Sequence, residues 1–283
     1  MKTIDLHVHS TFSDGTVAPA DLVEMACQTG LSAMALTDHD TTAGIPEAIE
    51  AASHTSLELI PGIELSTIYN DRKEIHIVGL FIDYQNQHFN DTLEHLRQVR
   101  QDRNRLMVER FKQFNIDISL EEMNERYGNA VITRAHFADY LLDKGYIKSR
   151  KEAFDRYIGD NGPCFVMRRK MTCDEAIKLI RSTGGVPILA HPTLYHLGTA
   201  QMRQLLASLT ESGLIGMECI YSTFSLGDEI QMRKFASEFG LIISGGSDYH
   251  GSNKPNLSLG TGRGKLCVPY DILEPIKKNV AAI

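Results

Sequence analysis

The sequence predicts an α/β barrel that carries a helical insertion, and three observations support this fold class. Segments with strand alternation and segments with helical spacing follow one another up to about residue 83, which indicates βα units and a parallel sheet. A long helical pattern then covers residues 89–114, and short helical patterns continue to about residue 170. The strand and helix alternation resumes at residue 173. We therefore expect a barrel domain from residues 1–87 and 169–283, with residues 88–168 as an insertion over the barrel mouth.

The elements follow from the spacing of apolar residues. Residues 3–10 alternate, with Ile4, Leu6 and Val8 apolar and with His7 and His9 polar, so they form a strand with a polar face. The other elements before the insertion are helices at residues 19–30 and 45–54, and strands at residues 31–37, 57–65 and 74–82. After the insertion we expect helices at residues 173–182, 199–212 and 226–239, and strands at residues 186–190, 214–220 and 241–244. These elements make about seven strand–helix units.

Composition and charge exclude several protein classes. The 283 residues are 42% hydrophobic, which is enough for a large core, and the sequence has no apolar run long enough to span a bilayer. Five cysteines without a Cys-x-x-Cys pair argue against a disulfide scaffold and a zinc finger. The net charge of −7 argues against a dedicated DNA-binding protein. We expect a cytoplasmic protein, because the N-terminus lacks an apolar signal segment, and we expect no membrane or obligate protein partner.

Metal-type side chains lie at the end of nearly every predicted strand. Because the carboxyl ends of barrel strands share one face, these side chains are expected to meet there. Taken singly the motifs are weak: a His-x-His pair is commonly a hydrogen-bonded core pair, and His191 before a proline could mark a turn. Together they would repel one another in a buried site without cations. The predicted ligands are His7, His9, Asp14, His39, Glu64, His76, His191, Asp248 and His250.

The predicted ligand set indicates the kind of ion and the kind of chemistry. Nine imidazole and carboxylate ligands are too many for one tetrahedral zinc, and they suffice for two or three ions. Mixed nitrogen and oxygen ligation without cysteine suits Mn²⁺, Zn²⁺ or Fe²⁺. Adjacent ions of this kind clamp a phosphoryl group and activate a bridging water, which is the chemistry of phosphate-ester hydrolysis. The nucleophile is then a metal-bridging hydroxide rather than a side chain, and His191 or His250 could assist the leaving oxygen.

Seven motifs resemble the PHP (polymerase and histidinol phosphatase) family throughout the chain. The resemblance implies a distorted, TIM-like (β/α)7 barrel with three divalent ions, for which we favour Mn²⁺. It assigns His7, His9, Glu64 and Asp248 to one ion. It assigns the bridging Glu64, His76 and His191 to a second, and Asp14, His39 and His250 to a third. The motifs are Asp5-Leu6-His7-Val8-His9-Ser10, Ser13-Asp14-Gly15, Thr37-Asp38-His39-Asp40, Pro61-Gly62-Ile63-Glu64, Ile75-His76-Ile77-Val78-Gly79, Ala190-His191-Pro192 and Gly246-Ser247-Asp248-Tyr249-His250.

Within the family, the chain is similar to the branch that contains the 3′,5′-nucleoside bisphosphate phosphatase and the 5′→3′ exoribonuclease RNase AM. The branch motif is residues 132–138, Ile-Thr-Arg-Ala-His-Phe-Ala. The resemblance implies hydrolysis of the phosphate on a nucleotide's 3′-oxygen, which converts pAp to AMP or releases the 5′-terminal nucleotide of RNA. The alternatives are a phosphatase of another small phosphomonoester, such as histidinol phosphate, and a non-catalytic metal-binding accessory domain.

The substrate-binding residues are predicted within and next to the insertion, which would act as a substrate-binding cap. Arg134 and His136 could grip the 5′-phosphate, or they could be a helix-surface arginine and a packing histidine. The chain reads Leu194 and Gly162 where the branch typically has an arginine and a lysine, and Arg168, Arg169 and the adjacent Lys170 could replace them. Residues 94–112 carry a net charge of +3, which could guide RNA or could be a solvated helix face.

The sequence leaves the roles of four further features undecided. Asp5 lies on the strand face of His7 and His9, where it could orient a ligand imidazole or make a buried structural hydrogen bond. For Asp38 and Asp40 we favour turn capping. Glu218 receives no role, and no aromatic residue of the insertion stands out as a stacking platform for a base.

Overall fold

The structure, a computed structural model, describes residues 2–70, 73–128, 130–167 and 170–280. The predicted Arg168 and Arg169 lie outside the described residues. The strands are β1 (Thr3–Val8), β2 (Leu31–Leu36), β3 (Glu58–Tyr69), β4 (Lys73–Leu80), β5 (Met171–Thr172), β6 (Val186–Leu189), β7 (Gly216–Tyr221), β8 (Ile242–Gly246) and β9 (Val268–Pro269). The helices are α1 (Pro19–Thr29), α2 (Ile45–Ala52), α3 (Gln87–Lys112), α4 (Leu120–Tyr127), α5 (Arg134–Asp143), α6 (Arg150–Ala153), α7 (Cys173–Ser182), α8 (Thr199–Glu211), α9 (Leu226–Glu238) and α10 (Leu273–Lys277).

The strands form one nearly closed sheet, in the order β8-β7-β6-β4-β3-β2-β1-β9, with β5 paired to β3. The barrel closes where the end of β1 meets the residues after β8. There the Asp248 backbone N–H donates to the His7 carbonyl at 2.9 Å, and the His9 N–H donates to the Tyr249 carbonyl at 3.0 Å. The predicted fold class, an α/β barrel of this distorted kind with added helices, is confirmed.

Strand β4 departs from the expected parallel pattern. It pairs antiparallel with β3, where Ser66 lies opposite His76, and antiparallel with β6. The physical reason is the short connection, since residues 70–72 join β3 to β4 and a parallel pair would need a crossover of a dozen residues or more. Because β4 runs backwards, its first residues lie at the barrel mouth, and His76 reaches the same face as the strand ends.

The chain has separate apolar cores for the barrel and for the inserted helices. One core packs the sheet against α1, α2, α7, α8 and α9, and a smaller one joins the strands to α10. A third core contains buried side chains only from Met107 to Val166, among them Phe111 and Phe137. The domain division at residues 88–168 stays a prediction, which this third core supports. Across the described residues, no helix has both the length and the apolar character needed to cross a membrane.

Candidate metal centre

The structure brings all nine predicted ligand side chains into one cluster at the barrel mouth. They fall into four overlapping groups in which candidate ligand atoms lie within 4.8 Å of one another. The groups are His9, Asp14, His39 and His250; His7, His9 and Asp248; His7, Glu64 and His191; and His39, Glu64 and His76. The overlaps at His7, His9, His39 and Glu64 make the groups one continuous site.

The ligands come from six places in the sheet, and the strand ends bring them together. His7 ends β1 and His9 follows it, His39 follows β2, and Glu64 lies within β3. His191 follows β6 and Asp248 follows β8. Both have positive φ angles, 27° for His191 and 55° for Asp248. Such left-handed backbone is unfavourable for these residues, and the hydrogen bonds around the site hold it in place.

Glu64 lies at the centre of the cluster. Five imidazoles place a ring nitrogen within hydrogen-bonding distance of its carboxylate. The N···O distances are 3.2 Å to His7, 3.2 Å to His9, 3.1 Å to His39, 2.9 Å to His76 and 2.9 Å to His191. Glu64 is fully buried. A single carboxylate cannot accept five well-aligned hydrogen bonds, so this arrangement is better suited to bridging cations.

The donor atoms of the cluster fit divalent ions. Six of the nine side chains have a buried nitrogen or oxygen atom without a hydrogen-bond partner among the described residues. An orphaned buried polar atom costs about 1–3 kcal/mol, so six of them in one site would be strongly unfavourable unless ions satisfied them. The atoms are His7 Nε2, His9 Nε2, Asp14 Oδ1, His39 Nδ1, Glu64 Oε2 and His191 Nδ1.

Burial and the neighbouring charges shift the pKa values of the carboxylates and histidines in the cluster. Burial alone would raise the pKa of Glu64, but His39, His7 and His76 hold it well below its usual range. Burial works against protonation of His76, yet the Glu64 carboxylate raises its pKa to about 10. Burial lowers the pKa of His39 to about 4. The carboxylates therefore remain ionised at neutral pH, as metal ligation requires.

Glu218, which received no role from the sequence, holds two of the predicted ligands. Its Oε1 lies 2.8 Å from His7 Nδ1, and its Oε2 accepts the His191 backbone N–H at 2.6 Å. With Nδ1 engaged by Glu218, Nε2 of His7 points toward Glu64 at 3.2 Å and Asp248 at 3.6 Å. A carboxylate behind a ligand imidazole fixes the ring orientation and raises its basicity.

Asp248 is held in a similar way by two residues that the sequence did not single out. Its Oδ2 accepts hydrogen bonds from Tyr221 Oη and Lys254 Nζ, both at 2.5 Å. This leaves Oδ1 facing His9 Nε2 at 3.4 Å. Burial opposes the charge of Lys254, but the Asp248 carboxylate keeps the pKa of the lysine raised. These contacts fix which oxygen of Asp248 faces the cluster.

Asp5 and Asp38 have structural partners. Asp5 accepts backbone N–H groups from His7, Ser247 and Gly260, which supports a structural role. Asp38 accepts the backbone N–H and hydroxyl of Ser10 and the hydroxyl of Ser13, so it supports the turn after β1, as we favoured. Burial raises the pKa of both carboxyl groups.

In His250, the ring nitrogen that faces away from the cluster contacts the backbone. His250 Nδ1 lies 2.9 Å from the Asp248 carbonyl, so Nδ1 is the donor and Nε2 faces Asp14 Oδ1 at 3.2 Å. His191 differs, because its Nε2 lies 2.9 Å from Glu64 whereas its Nδ1 has no hydrogen-bond partner among the described residues. Assistance to a leaving oxygen by either histidine stays a prediction.

A cleft of about 590 Å³ opens beside the cluster. Asp14, His39 and His76 form part of its wall. Cationic side chains and apolar or aromatic side chains line most of the rest, together with the carboxylates of Glu74 and Asp160. The cations are Arg100, Arg103, Arg134 and Lys170, and the apolar lining is Ile68, Phe154, Phe165, Val166 and Met167. Phe154 and Phe165 are two aromatic residues of the insertion that sequence patterning did not distinguish.

Arg134 lies in this cleft, and Glu74 lies between it and the metal-ligand cluster. Its Nη1 donates to Asp160 Oδ1 at 2.7 Å, its Nη2 lies 3.5 Å from Glu74 Oε2, and its guanidinium lies 5.3 Å from the centre of the Phe165 ring. Glu74 also pairs with Lys170, and its Oε1 lies 3.4 Å from His76 Nε2. One carboxylate therefore separates the two cations from a predicted metal ligand.

His136 is placed differently from Arg134 and does not line the cleft. Its Nδ1 accepts the Thr133 backbone N–H at 2.9 Å, which completes a capping box at the start of α5. Its ring packs against Tyr127 at 4.3 Å, and burial lowers its pKa to about 4. The phosphate contact of His136 stays a prediction, and the contacts support the alternative of a packing histidine, because its acceptor nitrogen Nδ1 is taken by the backbone and a neutral ring offers no cationic charge.

The structure also shows the surroundings of Leu194 and Gly162, the two positions at which the chain departs from the branch pattern. Leu194 is half exposed in the turn after His191, whereas its neighbour Tyr195 supports β4 by accepting the His76 backbone N–H at 3.0 Å. At Gly162 an added Cβ would meet the Tyr157 carbonyl oxygen at 2.3 Å. A lysine at position 162 therefore requires a different backbone, so this loop has its own local structure.

The barrel and the cluster define a metal-dependent hydrolase with its active site at the carboxyl ends of the strands. The PHP domain family model matches residues 5–165, and the chain belongs to the PHP family. The 5'-3' exoribonuclease Rnm of Salmonella typhimurium is 36% identical over 248 residues, which are 87% of this chain and 84% of that protein. The resemblance drawn from the motifs is confirmed.

Two further relatives cover nearly the whole chain. The 3',5'-nucleoside bisphosphate phosphatase of Chromobacterium violaceum is 31% identical over 261 residues, which are 92% of this chain and 91% of that protein. A crystal structure from Bifidobacterium adolescentis, assigned as a metal-dependent phosphoesterase, matches with a TM-score of 0.86 and 29% identity. It covers 100% of this chain and 98% of its own. The chain is an enzyme of this class, a metal-dependent phosphoesterase.

Proposed function

We propose that this enzyme hydrolyses the bond between a nucleotide's 3′-oxygen and the phosphate on it, when the same nucleotide carries a 5′-phosphate. A 3′,5′-bisphosphonucleotide then gives a 5′-mononucleotide and phosphate. In RNA, the same bond releases the 5′-terminal nucleotide and leaves the phosphate on the shortened chain. The names of the relatives from S. typhimurium and C. violaceum support both versions of this reaction.

The observation that carries the proposal is the cleft, which offers two places for anions. One is the cluster itself, and the other is the pair of cations formed by Arg134 and Lys170, where Glu74 contacts both cations and Asp160 contacts Arg134. Arginine binds phosphate through a two-pronged fork, and a partly buried site strengthens such contacts. A substrate with one phosphate at each place fits this arrangement better than a monophosphate does.

The cluster supports the predicted number of three ions, with Mn²⁺ as the proposed metal. By the family pattern, His7, His9, Glu64 and Asp248 would hold one ion, Glu64, His76 and His191 a second, and Asp14, His39 and His250 a third. The same nine side chains lie in the four overlapping groups of the cluster. When bound, such ions stabilise charge on a phosphoryl group and supply an activated water at neutral pH. Each proposed set has at least one member with an orphaned buried atom.

The side chains of the cleft would bind and orient the nucleotide. Arg134 and Lys170 would hold the 5′-phosphate, and Glu74 would keep both cations in place. Phe154, Phe165 and Met167 offer apolar surface to the base. Stacking on an aromatic face tolerates any base, because every base has a π-face. We therefore expect weak discrimination among the four bases.

The competing substrate is a small phosphomonoester such as histidinol phosphate, which has no second phosphate for Arg134. To separate the two, the Mn²⁺-loaded enzyme is assayed side by side on pAp, 5′-phosphorylated RNA and histidinol phosphate. We expect turnover of pAp and RNA, and release of mononucleotides from the RNA. An enzyme that hydrolyses histidinol phosphate alone would contradict the proposal.

Two sets of variants test the site itself. Glu64→Gln, His9→Ala and Asp248→Ala should each abolish turnover, whereas Glu238→Gln, an exposed glutamate paired with Arg203, should not change it. Arg134→Ala should lower kcat/KM for pAp about 10- to 100-fold, the size of a lost charge-assisted hydrogen bond. A Glu64→Gln enzyme that binds its full complement of metal and turns over normally would count against the scheme.

A further inference from the structure

A second polar cavity, of about 560 Å³, lies beside the substrate cleft. Arg100 lines both cavities, and its guanidinium pairs with Asp40 next to the predicted ligand His39. The second cavity is lined by Thr41, Ala43, Glu94, Arg97, Arg100, Gln101, Asn104, Arg105, Leu120, Asn124, Gly128, Ala130, Val131 and Ile132. Most of this lining is polar.

The same three segments form the walls of both cavities. The segment after β2 contributes His39 to the cleft and Thr41 to the second cavity. Helix α3 contributes Arg103 to the cleft and Arg97 to the second cavity. The residues that lead into α5 contribute Thr133 and Arg134 to the cleft, and residues 130–132 to the second cavity. The two cavities therefore lie next to each other, and Arg100 forms part of the wall of both.

Three arginines, Arg97, Arg100 and Arg105, line the second cavity of this protein of net charge −7, and Glu94 is the one carboxylate in the lining. Arg97 is paired with Glu94 at 2.6 Å and Arg105 with Asp102 at 2.9 Å, and both arginines are largely exposed. Exposed pairs of this kind contribute little to stability, so a phosphate can replace the carboxylate as the partner of the guanidinium.

We propose that this second cavity binds the phosphates of single-stranded RNA on the 3′ side of the bond that is cut. The inference rests on the proposed function. When the 5′-terminal nucleotide occupies the cleft, the rest of the RNA is attached to the phosphate at the metal cluster and must leave the cleft. RNA that passes His39 and Arg100 would enter this second cavity, which is lined by arginines, and Gln101, Asn104 and Asn124 add amide groups to it. A bisphosphonucleotide ends at the cluster and does not reach this cavity.

The competing path is a cavity of about 590 Å³ between α3 and α7, which meets the cleft at Lys170. Its lining includes Leu96, Val99 and Leu179, and its other lysine, Lys178, pairs with Asp174 at 2.8 Å. This lining is more apolar and offers fewer cations to a polyanion. RNA along the second cavity is therefore favoured by charge.

The experiment compares RNA with pAp in the metal-loaded enzyme. The variant is Arg97→Gln combined with Arg105→Gln, and the matched control is Arg203→Gln, an exposed arginine of α8 paired with Glu238 at 2.7 Å. Lys178→Gln reports on the competing path. For each protein, kcat/KM is measured on pAp and on 5′-phosphorylated RNA of two to eight nucleotides, at several salt concentrations. Fluorescence anisotropy with an RNA whose first linkage is a phosphorothioate measures binding apart from turnover.

We expect the double variant to lower kcat/KM about tenfold for RNA of four or more nucleotides, and to leave pAp unchanged. Because each phosphate contact on a single strand contributes about −0.7 to the slope of log affinity against log salt, the slope should flatten by about 1.4. RNA kinetics and binding that match those of Arg203→Gln would overturn the inference, as would an equal loss on pAp. A loss in Lys178→Gln instead would assign the path to the other cavity. If the wild-type enzyme cuts pAp but no RNA, this inference fails and the phosphatase part of the proposed function stands. If it cuts neither, both fail.

Discussion

The contact of Glu218 with His7 and His191 gives the sharpest prediction about the metal centre. In Glu218→Gln, the amide oxygen can still accept from one of the two groups, His7 Nδ1 at 2.8 Å or the His191 N–H at 2.6 Å. The amide nitrogen then faces the other group donor to donor. The variant thus loses one hydrogen bond to a charged acceptor, at a site where the glutamate is only 1% exposed.

The expected loss of Mn²⁺ affinity follows from the loss of this hydrogen bond. A hydrogen bond to a charged group contributes about 1.5–3 kcal/mol, and loss of a partner behind a metal ligand weakens metal affinity about 10- to 100-fold. We expect Mn²⁺ affinity to fall within that range. At a metal concentration about 100 times the wild-type Kd, binding stabilises the fold by about 2.7 kcal/mol, and a tenfold weaker Kd reduces this to about 1.4 kcal/mol.

The assay is calorimetric titration of the metal-free protein with Mn²⁺, together with chemical unfolding at fixed metal concentration. Glu238→Gln on the exposed face of α9 is the matched control, since it makes the same chemical change away from the centre. Metal affinity of Glu218→Gln within twofold of wild type would refute the role of Glu218 in positioning His7. Unfolding without metal separates this effect from a general loss of stability.

The remaining predictions concern stability, and both are measured by urea unfolding of metal-free protein. His136 has a folded pKa of about 4 against an ordinary 6.5, so the unfolded state takes up the proton first as the pH falls. This histidine should therefore contribute a loss of up to about 3 kcal/mol to the wild type between pH 6.5 and pH 4. His136→Gln keeps the capping box and should lose less over that range, with little difference from wild type above pH 7. Equal slopes for the two proteins would disprove the assignment. Gly246 lies where a Cβ would meet His7 Cβ at 2.5 Å, so Gly246→Ala should destabilise the fold by about 1–3 kcal/mol. Gly227→Ala has only an ordinary contact at 3.6 Å and is the control; equal stability of the two alanine variants would show that β8 can move away from β1 freely.

The fold class, the family and the place of the metal centre could all be predicted from the sequence. Strand and helix patterns are local, so periodicity alone was enough to predict elements such as α7 at residues 173–182. The ligands could be predicted because each follows or lies within a predicted strand, and a barrel brings the strand ends together whatever the details of its packing. His7, His191 and Asp248 needed no further information to be placed in one site.

The tertiary structure alone decided how the site is supported and how the substrate cleft is formed. Glu218 and Lys254 act on ligands 211 and 6 residues away, through contacts that have no sequence motif. Arg134 and His136 are two residues apart in one motif, yet only Arg134 reaches the cleft, because the start of α5 uses the His136 ring as its cap. Such contacts depend on which distant segments pack together and on the rotation of each helix. Neither can be predicted from the local spacing of residues.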